Sequence, residues 1–137
     1  MHPNEKLLRD GYAAMARGDG QVLAEVLAPD ALWTIPGHSP LAGTYTGLRE
    51  IFSFWKRVAD LAPGGLRLEV QDVLANDERG VVFVVGRGSR LGRSIEERGV
   101  HVFRFEQGRA KEARFFYEDQ GAYDAFWSDQ PEPGFSA

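Results

Sequence analysis

Tyr12, His101 and Asp119 are side chains able to move a proton or hold an oxygen, and each falls on an apolar face of its segment. The stretch RGVHVFRFEQGR alternates so that His101 shares a face with Phe103 and Phe105, opposite Val100, Val102 and Arg104. An imidazole in such a row is either a hydrogen-bonded core group or the lining of a pocket where chemistry happens. Tyr12 lies between Leu8 and Met15 on one helical face. There a tyrosine either packs in the core with its hydroxyl at an edge or presents that hydroxyl to a pocket. Asp119 shares parity with Ala113, Phe115 and Tyr117, which points it inward. It also stands at a strand–helix junction, where aspartate is a favoured N-cap. The register can slip by one residue to Glu118. Proton abstraction beside a carbonyl needs a base that reaches the carbon-bound hydrogen and donors that meet the oxygen as charge develops. An apolar surrounding raises a carboxyl pKa toward the range useful for that transfer.

The elements that must position these groups are legible from periodicity. NEKLLRDGYAAMARGD reads as a helix with Asn4 as N-cap and Gly18 as stop. GQVLAEVLAPD reads as a short second helix ended by Pro29. A strand is expected from Ala31 to Ile35, with Trp33 and Ile35 on one face. HSPLAGTYTG reads as a loop that brings His38 and Tyr45 to a pocket mouth. LREIFSFWKRVADLA is a helix with an apolar stripe through Ile51, Phe52 and Trp55. Strands follow at Leu66–Leu74, Gly80–Arg90, Ile95–Glu106 and Arg109–Tyr117, joined by short polar turns. A last helix spans Gln120–Trp127, and SDQPEPGFSA reads as a loose tail.

Helices followed by a meander of long strands make an α+β pattern. The expected architecture is one domain, 1–127, with a tail at 128–137. Its N-terminal helices pack in a strongly curved antiparallel or mixed β-sheet, which leaves a cone-shaped cavity. Trp33, Ile35, Phe52, Trp55, Phe103, Phe115 and Tyr117 are expected in the core and, in part, on the cavity wall. So many aromatics point to a sizeable hydrophobic small-molecule ligand.

Composition narrows the function classes. A net charge of −4 over 137 residues argues against a nucleic-acid binder. No apolar run approaches the ~20 residues of a membrane span, and the N-terminal stretch lacks a signal-peptide pattern. The chain has no cysteine, and His2, His38 and His101 have no metal-ligand spacing. The glycines of GRGSRLG are wrongly spaced for a dinucleotide loop. The expectation is a cytoplasmic protein with neither cofactor nor metal. Arg87, Arg90, Arg93 and Arg98 cluster around one hairpin and read as a solvated edge.

Four stretches carry a resemblance to a family: GYAAMARGD, LAPDALWTIPG, AGTYTGLREIFSFW and VHVFRFEQGRAKEARFFYEDQGAYDAFW. In succession they resemble the nuclear transport factor 2-like fold in its SnoaL-like and ketosteroid isomerase-like branch, over roughly Leu7 to Trp127. In that resemblance the isomerases' oxyanion-hole tyrosine falls on Tyr12 and their oxyanion-hole aspartic acid on His101. Their general-base aspartate falls on Ile35, so the usual base is missing. The acid/base aspartate of the SnoaL-like cyclases falls nearest Asp119. The resemblance implies a homodimer and a cofactor-independent cyclase, isomerase or dehydratase. Asp119 would be its acid or base, and His101 and Tyr12 would polarise an oxygen. Two alternatives stay open: a non-catalytic ligand-binding or dimerisation module, and an epoxide hydrolase.

Overall fold

The computed structural model describes residues 1–129; the expected tail lies outside the described residues from 130 onward. The chain runs α1 (Pro3–Ala16), α2 (Gly20–Val26), β1 (Leu27–Ile35), β2 (Gly43–Thr46) and α3 (Gly47–Leu61). Then come β3 (Leu66–Ala75), β4 (Arg79–Arg90), β5 (Arg93–Glu106), β6 (Arg109–Tyr117) and α4 (Gln120–Trp127). The strands form one open six-stranded sheet in the order β2-β1-β6-β5-β4-β3. Only β1 and β6 run parallel, so the sheet is mixed. Leu8 of α1, Ile51 and Phe54 of α3 and Phe126 of α4 join Val82, Phe103, Phe105 and Phe115 of the sheet in one core. This is the α+β cone expected from the pattern.

The β4–β5 and β5–β6 hairpins each turn on two residues, both with positive φ: Leu91 at 49° with Gly92 at 75°, and Gln107 at 52° with Gly108 at 75°. Two positive φ values make a turn whose twist matches that of the flanking strands. Glycine adopts this conformation without strain; leucine meets its own Cβ against the next carbonyl. Leu91 is 68% exposed and buries little in return. Leu91→Asn is therefore expected to stabilise the protein by about 1 kcal/mol. A thermal melt checks this, and an unchanged or lower Tm would refute it.

Several local expectations need correction. β1 begins at Leu27, not Ala31, so Pro29 lies inside the strand and does not end the helix. The β1–β6 pairing is irregular between Leu27 and Leu32, and a residue without an N–H fits that gap. GTYT, expected within a loop, is β2; Tyr45 pairs with Trp33 of β1. The N-cap of α1 is His2, whose Nδ1 accepts from the Asn4 backbone N–H at 3.0 Å.

The arginine cluster also divides. Arg90 is only 6% exposed. Its Nε donates to the Leu61 carbonyl at 2.9 Å and its Nη1 to that of Phe126 at 2.8 Å. Arg93 donates to the Ala125 carbonyl at 2.5 Å. The last carbonyls of a helix have no partner within it, and these two side chains supply donors at the ends of α3 and α4. Arg87 and Arg98 are exposed as expected, but they lie on β4 and β5, interior strands of the sheet rather than an edge, and each is ion-paired with Glu96.

Candidate active site

A cavity of about 690 Å³ lies between the helices and the inner face of the sheet. β1 contributes Trp33 and Ile35, β6 contributes Phe115 and Tyr117, and β5 contributes Glu97 and His101. Helices close it with Tyr12 of α1, Phe54 and Trp55 of α3, and Tyr123 and Trp127 of α4. Exposed Arg67, Glu69 and Arg87 also line it, and Arg87 bonds Glu69 at 2.5 Å, so charge is confined to the part that meets solvent.

His101 is buried, paired across the sheet with Val82 and Phe115. Its Nδ1 is hydrogen-bonded to the Tyr12 hydroxyl. The Phe115 ring meets the imidazole edge-on at 4.5 Å. Burial lowers the His101 pKa to about 3 and raises that of Tyr12, so both are neutral near pH 7. A neutral imidazole has one N–H and a phenol one O–H. One of these hydrogens is used between them, whichever tautomer is present. The other is left to donate to a third atom.

Glu97 is the group that sequence reasoning missed. It lies four residues before His101 on the same strand, hence on the same face, with Cα atoms about 13 Å apart by strand rise. Gly99 lies between them, and Gly86 pairs with Glu97 from β4. A Cβ at Gly99 would stand 2.6 Å from the Phe116 carbonyl oxygen and 3.2 Å from the Tyr117 ring. Glycine there lets the Tyr117 ring lie close over the strand and stack on Tyr123, centroids 3.9 Å apart and planes 10° off parallel. Glu97 Oε2 is buried without a hydrogen-bond partner. Burial raises the Glu97 pKa to about 8, into the range where a carboxyl both gives and takes a proton near neutrality. The signal was available: in EERGVH, parity with His101 places Glu97 inward. Its charged neighbours made the segment read as a polar hairpin.

Other expected site residues are elsewhere. Asp119 is exposed, and its Oδ1 accepts from the Ala122 backbone N–H at 2.9 Å as the N-cap of α4. Its parity with Phe115 and Tyr117 carries no meaning beyond Tyr117, where β6 ends and the chain turns. Glu118 is exposed too, and its backbone N–H bonds the Arg98 carbonyl at 2.8 Å. Neither carboxyl lines the cavity. His38 is exposed in the loop before β2, its backbone N–H bonded to Asp124 at 3.0 Å. Tyr45 donates to the Leu41 carbonyl at 2.7 Å, Phe52 packs on Trp55 and Phe103 meets Tyr12 edge-on. Those four support the wall from behind or lie away from it, whereas Tyr12, Trp33, Ile35, Trp55, His101, Phe115 and Tyr117 form it. Among the described residues, no group of three His, Cys, Asp or Glu is arranged to hold a metal ion.

A family model described as SnoaL-like domain matches residues 8–113. The chain is 32% identical over 123 residues to the uncharacterized protein Rv0034 of Mycobacterium tuberculosis, covering 89% of this chain and 94% of that protein. Among solved structures, Bal32a from a soil-derived mobile gene cassette superposes with a TM-score of 0.87 at 31% identity, over 91% of this chain and 96% of that one. TerC, co-crystallized with polyporic acid, superposes with a TM-score of 0.81 at 26% identity, over 91% and 98% of the two chains.

Proposed function

The chain belongs to the SnoaL-like family of the nuclear transport factor 2-like superfamily, and from that premise we propose a cofactor-independent acid/base enzyme acting on a hydrophobic small molecule. The reaction is of cyclase or isomerase type. Glu97 moves the proton, and the Tyr12–His101 pair holds the oxygen. One observation carries this: a carboxyl whose pKa burial raises to about 8 shares a strand face with His101, which is bonded to Tyr12 of α1, and all three line one aromatic-walled cavity.

In its ionised form Glu97 takes a proton from carbon next to a ligand carbonyl. The electron pair moves into the carbonyl, and the spare hydrogen of the Tyr12–His101 pair meets the developing oxyanion. In water-poor surroundings such a donor is worth far more than in solution. Where a C=C bond adjoins that carbon, the electron pair extends along it, and protonated Glu97 returns the proton to the far carbon while the double bond moves into conjugation, which completes an isomerisation. Alternatively the enolate carbon attacks a second carbonyl, whose oxygen takes the proton, and a ring closes. Glu97 thus takes the role that the resemblance assigned to Asp119. It supplies a base where Ile35 supplies none.

The test needs no knowledge of the natural substrate. Tetralone, a bicyclic ketone with exchangeable hydrogens beside its carbonyl, is incubated in deuterated buffer and followed by NMR. Accelerated exchange that Glu97→Gln abolishes supports the enzyme. Exchange no faster than buffer, together with binding of polyporic acid detected in calorimetry, would favour the binding module instead.

The outer face of the sheet supports a further part of the reading, a homodimer. Phe83, Val100 and Phe116 stand in one cross-strand row over β4, β5 and β6. Phe83 and Phe116 are 39% and 51% exposed, a large apolar surface to leave to water. A two-fold axis through such a row buries it against its own copy. Light scattering is expected to find a dimer that Phe116→Lys converts to monomer; a monomeric parent protein would refute this.

A further inference from the structure

We propose that the cavity takes apolar ligands that carry an anionic tail, and that Arg67 at its mouth is the specificity-determining residue that holds the anion. The inference rests on the cavity being the ligand site, but it does not depend on any chemical step occurring there.

The exposed members of the lining mark where the cavity opens. They include Ala16 at the end of α1, Ala59 and Pro63 near the end of α3, Arg67 and Glu69 on β3, and Arg87 on β4. β3 is an edge strand, so side chains from both of its faces border this opening. On the helix side the passage is bounded by small apolar groups. On the sheet side it is bounded by two guanidinium groups and one carboxylate.

That carboxylate is already engaged. Glu69 is ion-paired with Arg87, which also pairs with Glu96. Among the described residues Arg67 makes no ion pair of its own and acts on Glu69 only through space. It also stands opposite Arg87 in the β3–β4 register. Like charges at opposed positions on neighbouring strands repel. An anion held at Arg67 relieves that repulsion and supplies the missing partner. A guanidinium presents a planar fork of N–H donors that fits a carboxylate or phosphate. Outside the mouth, Arg67 and Arg87 share a surface depression with the exposed residues Ser89 and Ser94, so polar groups continue beyond the anion.

The interior sets the ligand's orientation. Leu68, Gly86 and Glu97 stand in one cross-strand row. A Cβ at Gly86 would stand 2.9 Å from Glu97 Oε1, so the carboxyl lies over β4, on the side of the mouth. Two strand spacings, about 10 Å, separate the Glu97 and Leu68 backbones, and Arg67 adjoins Leu68. A charge left among the aromatic rings goes unsolvated and faces the Glu97 carboxyl. The rings of a ligand therefore go inward and its anion stays at Arg67, a few bonds away.

Two probes separate charge from shape: naphthylbutanoate and its methyl ester, which share the rings and the tail. In calorimetry at low salt the full chain is expected to bind the acid about 3- to 5-fold more tightly than the ester, the upper range for an exposed ion pair. Molar salt should erase the difference. Arg67→Gln is expected to remove the preference and Arg67→Glu to reverse it, with the ester within about twofold of the parent in both. Arg67 is exposed, so both variants should fold, and thermal melts check this.

An acid preference that survives Arg67→Glu would overturn the proposal. Equal loss of acid and ester in the variants would do the same, reducing Arg67 to the shape of the mouth. Equal binding of both probes by the parent protein would overturn this inference and leave the cavity as a ligand site. If neither probe binds, the inference and the ligand-site reading fall together.

Discussion

Glu97→Gln is expected to abolish catalysis and at the same time stabilise the fold at alkaline pH. Glutamine keeps the shape and loses the titrating proton, so acid/base transfer falls by about 10²- to 10⁴-fold. The stability effect has the opposite sign. Burial raises the Glu97 pKa from 4.5 to about 8 in the folded state. Below pH 4.5 both states hold the proton and the site adds no pH-dependent cost. Between pH 4.5 and about 8 the native state keeps a proton that the unfolded chain has released, so stability falls as pH rises. Above that window the full penalty applies, about 3 kcal/mol once the partial exposure of Glu97 is allowed for. The variant escapes it. Denaturant titrations at acidic and alkaline pH should show a gain confined to the alkaline side. A gain independent of pH, or a variant that still exchanges the tetralone hydrogens, would remove Glu97 from the role assigned to it. A site that weakens the fold it sits in is a common cost of placing a reactive group in an apolar wall.

Tyr12→Phe is expected to lower turnover by about 10²- to 10³-fold, the usual loss when one oxyanion donor is removed. KM should change far less, since the lost bond forms chiefly as charge develops. The variant leaves His101 Nδ1 buried and unpaired, which costs about 1–2 kcal/mol of stability. The same pair governs acid tolerance. Burial lowers the His101 pKa from 6.5 to about 3, so the unfolded chain takes up a proton that the native state refuses. Stability is therefore whole above pH 6.5 and is lost as pH falls toward about 3. His101→Asn should flatten this acid limb, whereas Tyr12→Phe should keep it. Equal kcat in Tyr12→Phe and the parent, measured by single-turnover kinetics, would reduce the pair to a core hydrogen bond.

Local pattern carried much of the fold. The bounds of β6, Arg109–Tyr117, and of α4, Gln120–Trp127, are those read from the chain. Alternation, a capping aspartate and short polar turns act over a few residues and need no knowledge of the rest of the molecule. Tyr12 and His101 were legible because both sit inside regular elements, where periodicity states which way a side chain points. β2 was not, because four residues with glycine, threonine and tyrosine form a strand only when β1 stands beside them to accept the pairing.

The sequence by itself determined the α+β class, the order of elements and the inward row of β5 through His101. Only the tertiary structure decided which carboxyl works in that row. Asp119 had the right parity, but its strand ends two residues too soon and the side chain caps a helix instead. Arg90 looked like a solvated edge until α3 and α4 brought their unpaired carbonyls to it. Glu97 looked like one charge among several until α4 carried Tyr123 against Tyr117 and closed the wall beside it. Direction along a strand is a local property of the backbone. Burial, and with it the pKa that makes a carboxyl useful, belongs to the elements that meet around it.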